Sequence, residues 1–257
     1  MSEEATVLYE LSDGVATITL NRPRAYNAIT ARMHAELMSA LDRAERDAAV
    51  RCVVITGAGS AFCSGQDLKD LAPGQSFGEL VRDRYNPLVL RLRGIPKPIV
   101  AAVNGVAAGA GMSLALACDF RLAVDGARFV AAFANVGLVP DTGMSYFLPR
   151  LIGLTRAVEL CMTGGTLDAA TALSYGMLNA VARAGEFPGA VRRLAERLAD
   201  GPATALGLIK RSFELALAAP LEQSLGYEAQ AQEIAGGSAE YAEGVRAFRE
   251  KRCPEFR

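Results

Sequence analysis

The sequence lacks tryptophan and contains a single histidine among its 257 residues. Ser-His-Asp and Cys-His nucleophile systems both need a positioned imidazole, so this composition argues against either. The one histidine, His34, lies beside the apolar stripe of a predicted helix that Thr30 is placed to cap, and we interpret it as a helix-boundary residue. Any chemistry must therefore use carboxylates, backbone amides and hydroxyls.

Paired cysteines, a charge excess and a long apolar run are also missing. The five cysteines are scattered without a CxxC pair, which argues against a zinc site and a disulfide framework and favours a reducing cytoplasm. The net charge of −1 gives no attraction to nucleic acid or an anionic membrane. No apolar run approaches the roughly 18 residues of a spanning helix, and the acidic start MSEEATVLYE is unlike a signal peptide. We therefore expect a cytoplasmic protein with no metal, nucleic-acid partner or membrane anchor.

The patterns that are present are short strands first and helices later. TVLYELSDGVATITL predicts a hairpin, and RCVVITG, PKPIVAAVNG and DFRLAVDGARFVAAF supply further strands. From about Leu151 the pattern is helical, with Thr166 predicted to cap the helix in TLDAATALSYG and Gly176 to end it. The predicted fold class is α/β. Gly201-Pro202 is the predicted boundary between a core of residues 1–200 and a helical region of residues 201–257.

The first glycine-rich turn, ITGAGSAFCSGQDL, allows two interpretations. Gly57 and Gly59 follow a strand as in a dinucleotide-binding motif, but Phe62 stands where that motif needs its third glycine. The alternative is an extended segment that turns at Gly65 into a helix start at Gln66. Such a turn leaves backbone N–H groups free at a helix N-terminus, where partial positive charge accumulates.

The second glycine-rich turn, NGVAAGAGMSLALACD, repeats this arrangement. Only glycine, alanine and valine follow Asn104 as far as Gly111, and such small side chains let a ligand approach the backbone. A free N–H at Gln66 and another near Ala110 would form a pair of donors for one oxygen, which an enolate or tetrahedral oxyanion needs. Close helix–strand packing explains the glycines equally well, so these residues leave both interpretations open.

The segments AFCSGQDL, KPIVAAVNGVAAGAG and FANVGLVPDTG, in this order and spacing, resemble the crotonase (enoyl-CoA hydratase/isomerase) superfamily. The resemblance runs from NRPRAYNAIT to AFREKRCPEF, and RYNPLVLRL, NGVAAGAG, GLVPDTG and FLPR resemble the branch that isomerises 1,2-epoxyphenylacetyl-CoA. It implies a ClpP-like fold of repeated ββα units with a C-terminal helical oligomerisation region, assembled as a trimer or a dimer of trimers. It also implies an acyl-CoA thioester substrate without a separate cofactor, and a thioester oxygen bound by the backbone N–H groups of Gln66 and Ala110.

Two departures from the family pattern bear on the reaction. The glutamates with which hydratases of this family add water fall at Ser113 and Phe133 here, and neither residue exchanges a proton at neutral pH. With both glutamates absent, Asp141 is the acid that remains at a position matching the family's motifs. An aspartate at this position resembles both the epoxide isomerase branch, where it shuttles protons, and 4-chlorobenzoyl-CoA dehalogenase, where it attacks the ring. The histidine base of the dehalogenase falls at Asn86, which argues against dehalogenation.

Asp141 lies in an apolar run, ANVGLVPDTGMSYF, and has a structural interpretation beside the catalytic one. It precedes a helix predicted to begin near Thr142, which it would cap. The apolar neighbours Leu138, Val139, Met144 and Phe147 are expected to raise its pKa toward neutrality, as a proton shuttle requires. By contrast, Glu79 and Asp83 lie in a charged segment and are expected to be solvated.

Contacts to CoA follow from the resemblance alone. Basic and flanking residues of the family that reach the CoA match Arg24, Ala25, Tyr26, Phe62, Ser64, Gly65, Asp67, Leu68, Gly109, Phe248 and Lys251. Asp67 is equally explained as a local structural residue, Phe248 as a core aromatic and Lys251 as a solvated lysine. The acyl group is expected to contact the segment between Asp70 and Pro87.

The sequence therefore predicts a CoA-thioester isomerase, acting on an enoyl-CoA or on 1,2-epoxyphenylacetyl-CoA. In it Gln66 and Ala110 bind the thioester oxygen while Asp141 removes and returns a proton. Two alternatives stay open: an enoyl-CoA hydratase of fatty-acid or aromatic-acid β-oxidation, and a non-catalytic CoA-binding homologue that kept the fold.

Overall fold

Two β-sheets carry the fold, which a computed structural model describes over residues 4–256. Residues 1–3 of the acidic start and Arg257 lie outside the described residues. The strands are β1 (Val7–Ser12), β2 (Val15–Leu20), β3 (Cys52–Gly57), β4 (Ala61–Cys63), β5 (Ile99–Val103), β6 (Val106–Ala108), β7 (Phe120–Val124), β8 (Arg128–Val130), β9 (Thr166–Asp168) and β10 (Ala180–Ala182). The larger sheet has the order β1-β2-β3-β5-β7-β10 and the smaller one β4-β6-β8-β9.

A strand–strand repeat generates both sheets. In each of the pairs β3–β4, β5–β6 and β7–β8, the first strand joins the larger sheet and the second joins the smaller one. Successive repeats pair in parallel in both sheets. The predicted α/β class and the repeated ββα unit are therefore confirmed. The hairpin predicted around Asp13 is also present as antiparallel β1 and β2.

Helices cover the sheets and form the C-terminal region. They are α1 (Ala31–Arg46), α2 (Phe77–Leu80), α3 (Asn86–Gly94), α4 (Ala110–Ala117), α5 (Met144–Ile152), α6 (Leu154–Met162), α7 (Ala169–Ser174), α8 (Phe187–Ala199), α9 (Ala203–Ala216), α10 (Leu221–Gly236) and α11 (Ala239–Glu250). A π-helical turn, Val81–Tyr85, joins α2 to α3, and 3-10 turns span Pro23–Ala25, Leu68–Asp70 and Ala134–Val136. Within residues 4–256 no helix is both long and apolar enough to cross a bilayer.

Helix α1 forms where its sequence pattern predicts. Met33, Leu37 and Leu41 are fully buried on the side of α1 that packs against the larger sheet, because side chains at this spacing share one helical face. The Thr30 hydroxyl accepts a hydrogen bond from the backbone N–H of Met33 at 3.2 Å, so the predicted cap is confirmed.

One predicted helix start is wrong, and another is two residues early. Thr166 lies in β9 rather than at a helix start; the strand pairs with β8 as far as Asp168, whose carboxylate accepts a hydrogen bond from Thr171 N at 2.7 Å and caps α7. The helix predicted near Thr142 is α5, which begins at Met144. The predicted stop at Gly176 is confirmed by its φ of +81°, a left-handed conformation that glycine adopts at low cost.

Partly buried ion pairs hold α9 against the body of the protein. Lys210 Nζ lies 2.8 Å from Asp119 Oδ2, and Arg93 contacts both Asp119 and Glu214, at 3.0 and 2.6 Å. The boundary predicted at Gly201-Pro202 falls in the break between α8 and α9. The division into two domains at that point stays a prediction.

Candidate active site

The first turn leaves one backbone N–H without an internal partner. After β4 the chain turns at Gly65, whose φ is +96°, and its carbonyl accepts a hydrogen bond from Ile29 N at 2.7 Å. A trans peptide is planar, so its C=O and N–H point in opposite directions. The N–H of Gln66 therefore points away from Ile29, and it meets no acceptor within residues 4–256.

The second turn presents a similar donor at the start of α4. Gly109, with φ +50°, follows β6 as the N-cap of α4, and its carbonyl accepts a hydrogen bond from Ser113 N at 3.0 Å. That carbonyl points along α4, so the N–H of Ala110 in the same peptide points out of the helix N-terminus. Across the described residues, no group accepts a hydrogen bond from the Ala110 N–H either.

The two turns are in direct contact. A Cβ placed on Gly65 would lie 2.9 Å from Ala108 O and 3.3 Å from Ala110 N, and a Cβ on Gly111 would lie 2.1 Å from Cys63 O. Close packing and a pair of donors are therefore compatible interpretations of these glycines. Because Gly65 and Gly111 have no side chain, the turns that carry Gln66 and Ala110 can lie side by side.

Asp141 reaches the same place from another part of the chain. Its backbone carbonyl accepts hydrogen bonds from the Ser113 hydroxyl at 3.1 Å and from Met144 N at 2.9 Å, which docks its loop on the first turn of α4. Its carboxylate Oδ1 accepts a hydrogen bond from the Thr142 hydroxyl at 2.8 Å. The N-cap of α5 is Gly143, without a side-chain cap. The capping interpretation of Asp141 is therefore wrong.

The environment of Asp141 disfavours its charged form. Burial raises the pKa of Asp141, and the hydrogen bond from Thr142 lowers the pKa by less, so the net shift is upward as predicted. Met144 and Phe147 are buried as expected, but Val139 is 77% exposed and adds little to the desolvation.

The positions that depart from the family pattern are buried and inert. Ser113 is 0% exposed, and its hydroxyl lies 3.3 Å from Gly109 O as well as bonding Asp141 O. Phe133 is 6% exposed in the core. The nearby thiol of Cys63 is fully buried, which raises its pKa to about 12 and keeps it neutral.

The histidine lies closer to this site than the sequence indicated. His34 Nε2 lies 2.8 Å from Arg84 O, so this nitrogen carries the proton and donates it. The ring packs edge-on against Tyr85, with the two ring centroids 6.4 Å apart. Burial lowers the pKa of His34, which favours the neutral ring. His34, which lies on α1, thus supports the π-helical turn that carries Arg84 and Tyr85.

Sequence reasoning missed Tyr85. This side chain is 2% exposed, and its hydroxyl donates a hydrogen bond of 2.6 Å to Gln66 Oε1. The only signal was a tyrosine within the RYNPLVLRL segment, because the two residues lie far apart in sequence. Glu79 and Asp83, from the same region, are exposed as expected.

The residues predicted to contact CoA divide into two groups. Arg24 and Ala25 lie on the 3-10 turn and Tyr26 follows it, all beside the first donor, since Ser64 N donates to Tyr26 O at 3.0 Å. Tyr26 and Leu68 are 59% and 57% exposed and available to a ligand.

The other residues predicted to contact CoA are buried, have different partners or lie away from the two turns. Phe62 is 0% exposed, so only its backbone is available, and Asp67 pairs with Arg22 at 2.9 Å, which supports its structural interpretation. Phe248 is 85% exposed, so its interpretation as a core aromatic is wrong. Lys251 is exposed at the end of α11, which packs against α10 rather than against the two turns.

Two cavities of about 460 and 420 Å³ lie away from the two turns. One lies between the larger sheet and α8, where Thr17 and Val191 contribute to its lining, and the other lies beside α9, next to Phe213. Neither is lined by Gln66, Ala110 or Asp141. The candidate site is therefore defined by the convergence of three loops.

The chain is similar to known proteins over nearly its whole length. The family model described as enoyl-CoA hydratase/isomerase matches residues 10–257. The chain is 44% identical to the 1,2-epoxyphenylacetyl-CoA isomerase of Escherichia coli over 97% of each chain. It is 43% identical to a "Probable enoyl-CoA hydratase" of Rhodobacter capsulatus, over 98% of this chain and 97% of that one. The crystal structure of an enoyl-CoA hydratase from Bacillus anthracis superposes with a TM-score of 0.91 at 34% identity, covering 98% of both chains.

Proposed function

The chain belongs to the enoyl-CoA hydratase/isomerase family, and on that premise we propose that it is a CoA-thioester isomerase. The observation that carries the proposal is the single half-buried acid of the site. Asp141, whose pKa is raised by burial, is held against the first turn of α4, while the two positions of the hydratase glutamates are Ser113 and Phe133. One carboxylate suffices to move a proton between two carbons, whereas the standard hydration uses two.

In the proposed mechanism the thioester oxygen accepts hydrogen bonds from the N–H groups of Gln66 and Ala110. Removing a proton from the carbon next to the thioester places negative charge on this oxygen, and preorganised donors stabilise that charge. The Asp141 carboxylate takes the proton and becomes neutral. It then returns the proton to the far carbon of the allylic system, so the double bond moves and the enzyme is regenerated. A pKa raised toward neutrality suits both steps.

The substrates that we propose are an enoyl-CoA or 1,2-epoxyphenylacetyl-CoA. The Escherichia coli relative is named as an isomerase of the second compound, and a Streptococcus mutans relative, 36% identical, as a trans-2-decenoyl-[acyl-carrier-protein] isomerase. We also propose that Arg24 and Tyr26 contact the CoA, and that the chain forms a trimer or a dimer of trimers. In that assembly Phe248 and Lys251 reach the CoA of their own or of a neighbouring subunit.

The test compares isomerisation of a 3-enoyl-CoA and of 1,2-epoxyphenylacetyl-CoA with hydration of crotonyl-CoA. We expect isomerisation to dominate, and Asp141→Asn to lower it by about 10²–10⁴-fold, the range for general acid–base catalysis, with little change in acyl-CoA binding. Asp125→Asn, which removes an exposed carboxylate from the turn between β7 and β8, is the matched control and should leave turnover unchanged.

Three results would contradict the proposal. Faster hydration than isomerisation favours the hydratase alternative. Binding without turnover of any CoA ester favours a non-catalytic homologue. Near-normal isomerisation by Asp141→Asn would remove Asp141 from the mechanism.

A further inference from the structure

The side chain of Gln66 is held at both ends. Its carbonyl Oε1 accepts a hydrogen bond of 2.6 Å from the Tyr85 hydroxyl, and its amide Nε2 donates one of 3.0 Å to Asp67 O. Binding the thioester oxygen requires only the backbone N–H of Gln66, which any residue except proline supplies. A fixed amide side chain at this position therefore needs another explanation.

Tyr85 and Gln66, the residue that it holds, come from different segments of the chain. Gln66 follows β4, whereas Tyr85 ends the π-helical turn between α2 and α3. A π-helical turn holds an extra residue compared with an α-helix, and such turns are frequent at functional sites. Helix α2, the π-helical turn and α3 together form the helical wall of the site, residues 77–94, where we expect the acyl group. The hydrogen bond thus joins this helical wall to the turn that carries the Gln66 donor.

Backbone and side-chain contacts together fix the direction of the Gln66 N–H. Ile29 holds the peptides on both sides of Gln66, since Ile29 N donates to Gly65 O at 2.7 Å and Asp67 N donates to Ile29 O at 2.9 Å. Tyr85 and the Asp67 carbonyl fix the Gln66 side chain, which adds a restraint on the backbone rotation at Gln66. Gly65 alone would leave this turn mobile, because glycine has no side chain to restrict it.

The Tyr85 hydroxyl is suited to act as a permanent donor. Burial raises the pKa of Tyr85, and the negative charge of the Asp141 carboxylate raises the pKa further, so the hydroxyl keeps its proton at neutral pH. The hydroxyl is buried with the rest of the side chain, and Gln66 is the acceptor that satisfies it. A phenylalanine would fill the same space but would leave Gln66 Oε1 without this partner.

We infer that Tyr85 is a positioning residue for the thioester-binding donors, acting through the side chain of Gln66. The inference rests on the proposed function, since it assumes that the Gln66 N–H binds the thioester oxygen. Tyr85 acts before any proton moves: it keeps the donor aimed at the place where negative charge develops, and it ties that direction to the helical wall.

The test uses Tyr85→Phe, Gln66→Met and the double variant in the full chain. Each keeps the backbone N–H at position 66. We expect each single variant to lower kcat for isomerisation by about tenfold, part of the 10²–10³ that losing a whole donor costs, with KM changed less than about twofold. The double variant should be no slower than the slower single one, because both substitutions break the same hydrogen bond.

A second readout needs no turnover. Cinnamoyl-CoA is a conjugated thioester, so donors at its carbonyl oxygen move its absorbance to longer wavelength. We expect a red shift on binding to the wild-type protein and a smaller one with Tyr85→Phe. The control is Tyr9→Phe, because the Tyr9 hydroxyl is also buried but has no hydrogen-bond partner within residues 4–256. It should leave both kcat and the red shift unchanged.

Three outcomes would overturn the inference. Tyr85→Phe with wild-type kcat and red shift would show that the hydroxyl positions nothing. Independent, multiplicative losses in the double variant would show that Tyr85 acts other than through Gln66. The absence of a red shift with the wild-type protein would mean that the Gln66 and Ala110 N–H groups do not bind the thioester oxygen. A wild-type red shift without isomerase activity would instead contradict the proposed function, and the comparison of red shifts would still test Tyr85.

Discussion

Adding one methyl group at Gly65 should disrupt the site without removing any functional group. In Gly65→Ala the new Cβ would lie 2.9 Å from Ala108 O and 3.3 Å from Ala110 N. The first distance is shorter than van der Waals contact, and both neighbours are backbone atoms, so the two turns must separate. The left-handed φ of +96° adds about 1–2 kcal/mol for a residue with a Cβ.

The separation moves the Gln66 and Ala110 donors apart. Losing one such donor raises the barrier by about 2.7–4 kcal/mol, so we expect kcat for isomerisation to fall by about 10²–10³. Steady-state kinetics with a 3-enoyl-CoA measure this loss, and thermal unfolding checks that the variant is folded. The matched control is Gly176→Ala: its φ is +81°, but the nearest atom to the new Cβ is Leu151 O at 3.5 Å. It should lose stability and keep kcat. A kcat for Gly65→Ala within about threefold of the control value would refute the reasoning, because that is far less than a lost donor costs.

Three further predictions concern charge. The hydrogen bond from Thr142 lowers the pKa of Asp141, so Thr142→Val should raise that pKa and move the acid limb of the kcat/KM profile to higher pH; an unmoved limb would mean that Asp141 does not govern it. Burial raises the pKa of Asp141 in the folded state, so the charged carboxylate destabilises the fold at pH 7 and Asp141→Asn should increase the free energy of unfolding there. This gain should vanish below about pH 3.9, where Asp141 is protonated in both the folded and the unfolded state, and an equal gain at all pH values would contradict the prediction. Asp119→Asn removes the partly buried partner that Lys210 and Arg93 share and should cost about 1–3 kcal/mol in urea unfolding, whereas a loss below about 0.5 kcal/mol would mean that these ion pairs do not hold α9 in place.

The strands with β-branched residues were predictable, and the weakest elements were not. RCVVITG and the DG hairpin carry strong local signals, because their side chains fit a pleated sheet or a tight turn. Strand β6 has the sequence VAA, so its existence depends on pairing with β4 and β8. Helix α10 buries only Ala231 within the described chain, so it shows little apolar periodicity to detect.

The backbone donors of the site followed from the sequence, but their support did not. Glycine-rich turns pointed to Gln66 and Ala110, since glycine marks both close approach and free N–H groups. The helix start predicted at Gln66 is wrong: a 3-10 turn begins at Leu68, and Asp67 caps it. The partner of the Gln66 side chain depends on where α2 and the π-helical turn place Tyr85, and no local pattern encodes a contact between two separate segments. Asp141 was predicted as a possible cap because α5 was expected two residues too early.

The central claim is that the Asp141 carboxylate carries the transferred proton. The most direct measurement follows exchange of the proton next to the thioester in D2O by NMR, with a 3-enoyl-CoA and with the wild-type protein, Asp141→Asn and Asp125→Asn. We predict that the wild-type protein and Asp125→Asn catalyse exchange together with isomerisation, because the half-buried Asp141 carboxyl trades the proton that it carries with D2O, and that Asp141→Asn binds the thioester but catalyses neither. Exchange by Asp141→Asn at the wild-type rate would contradict the account, because another group would then be the base.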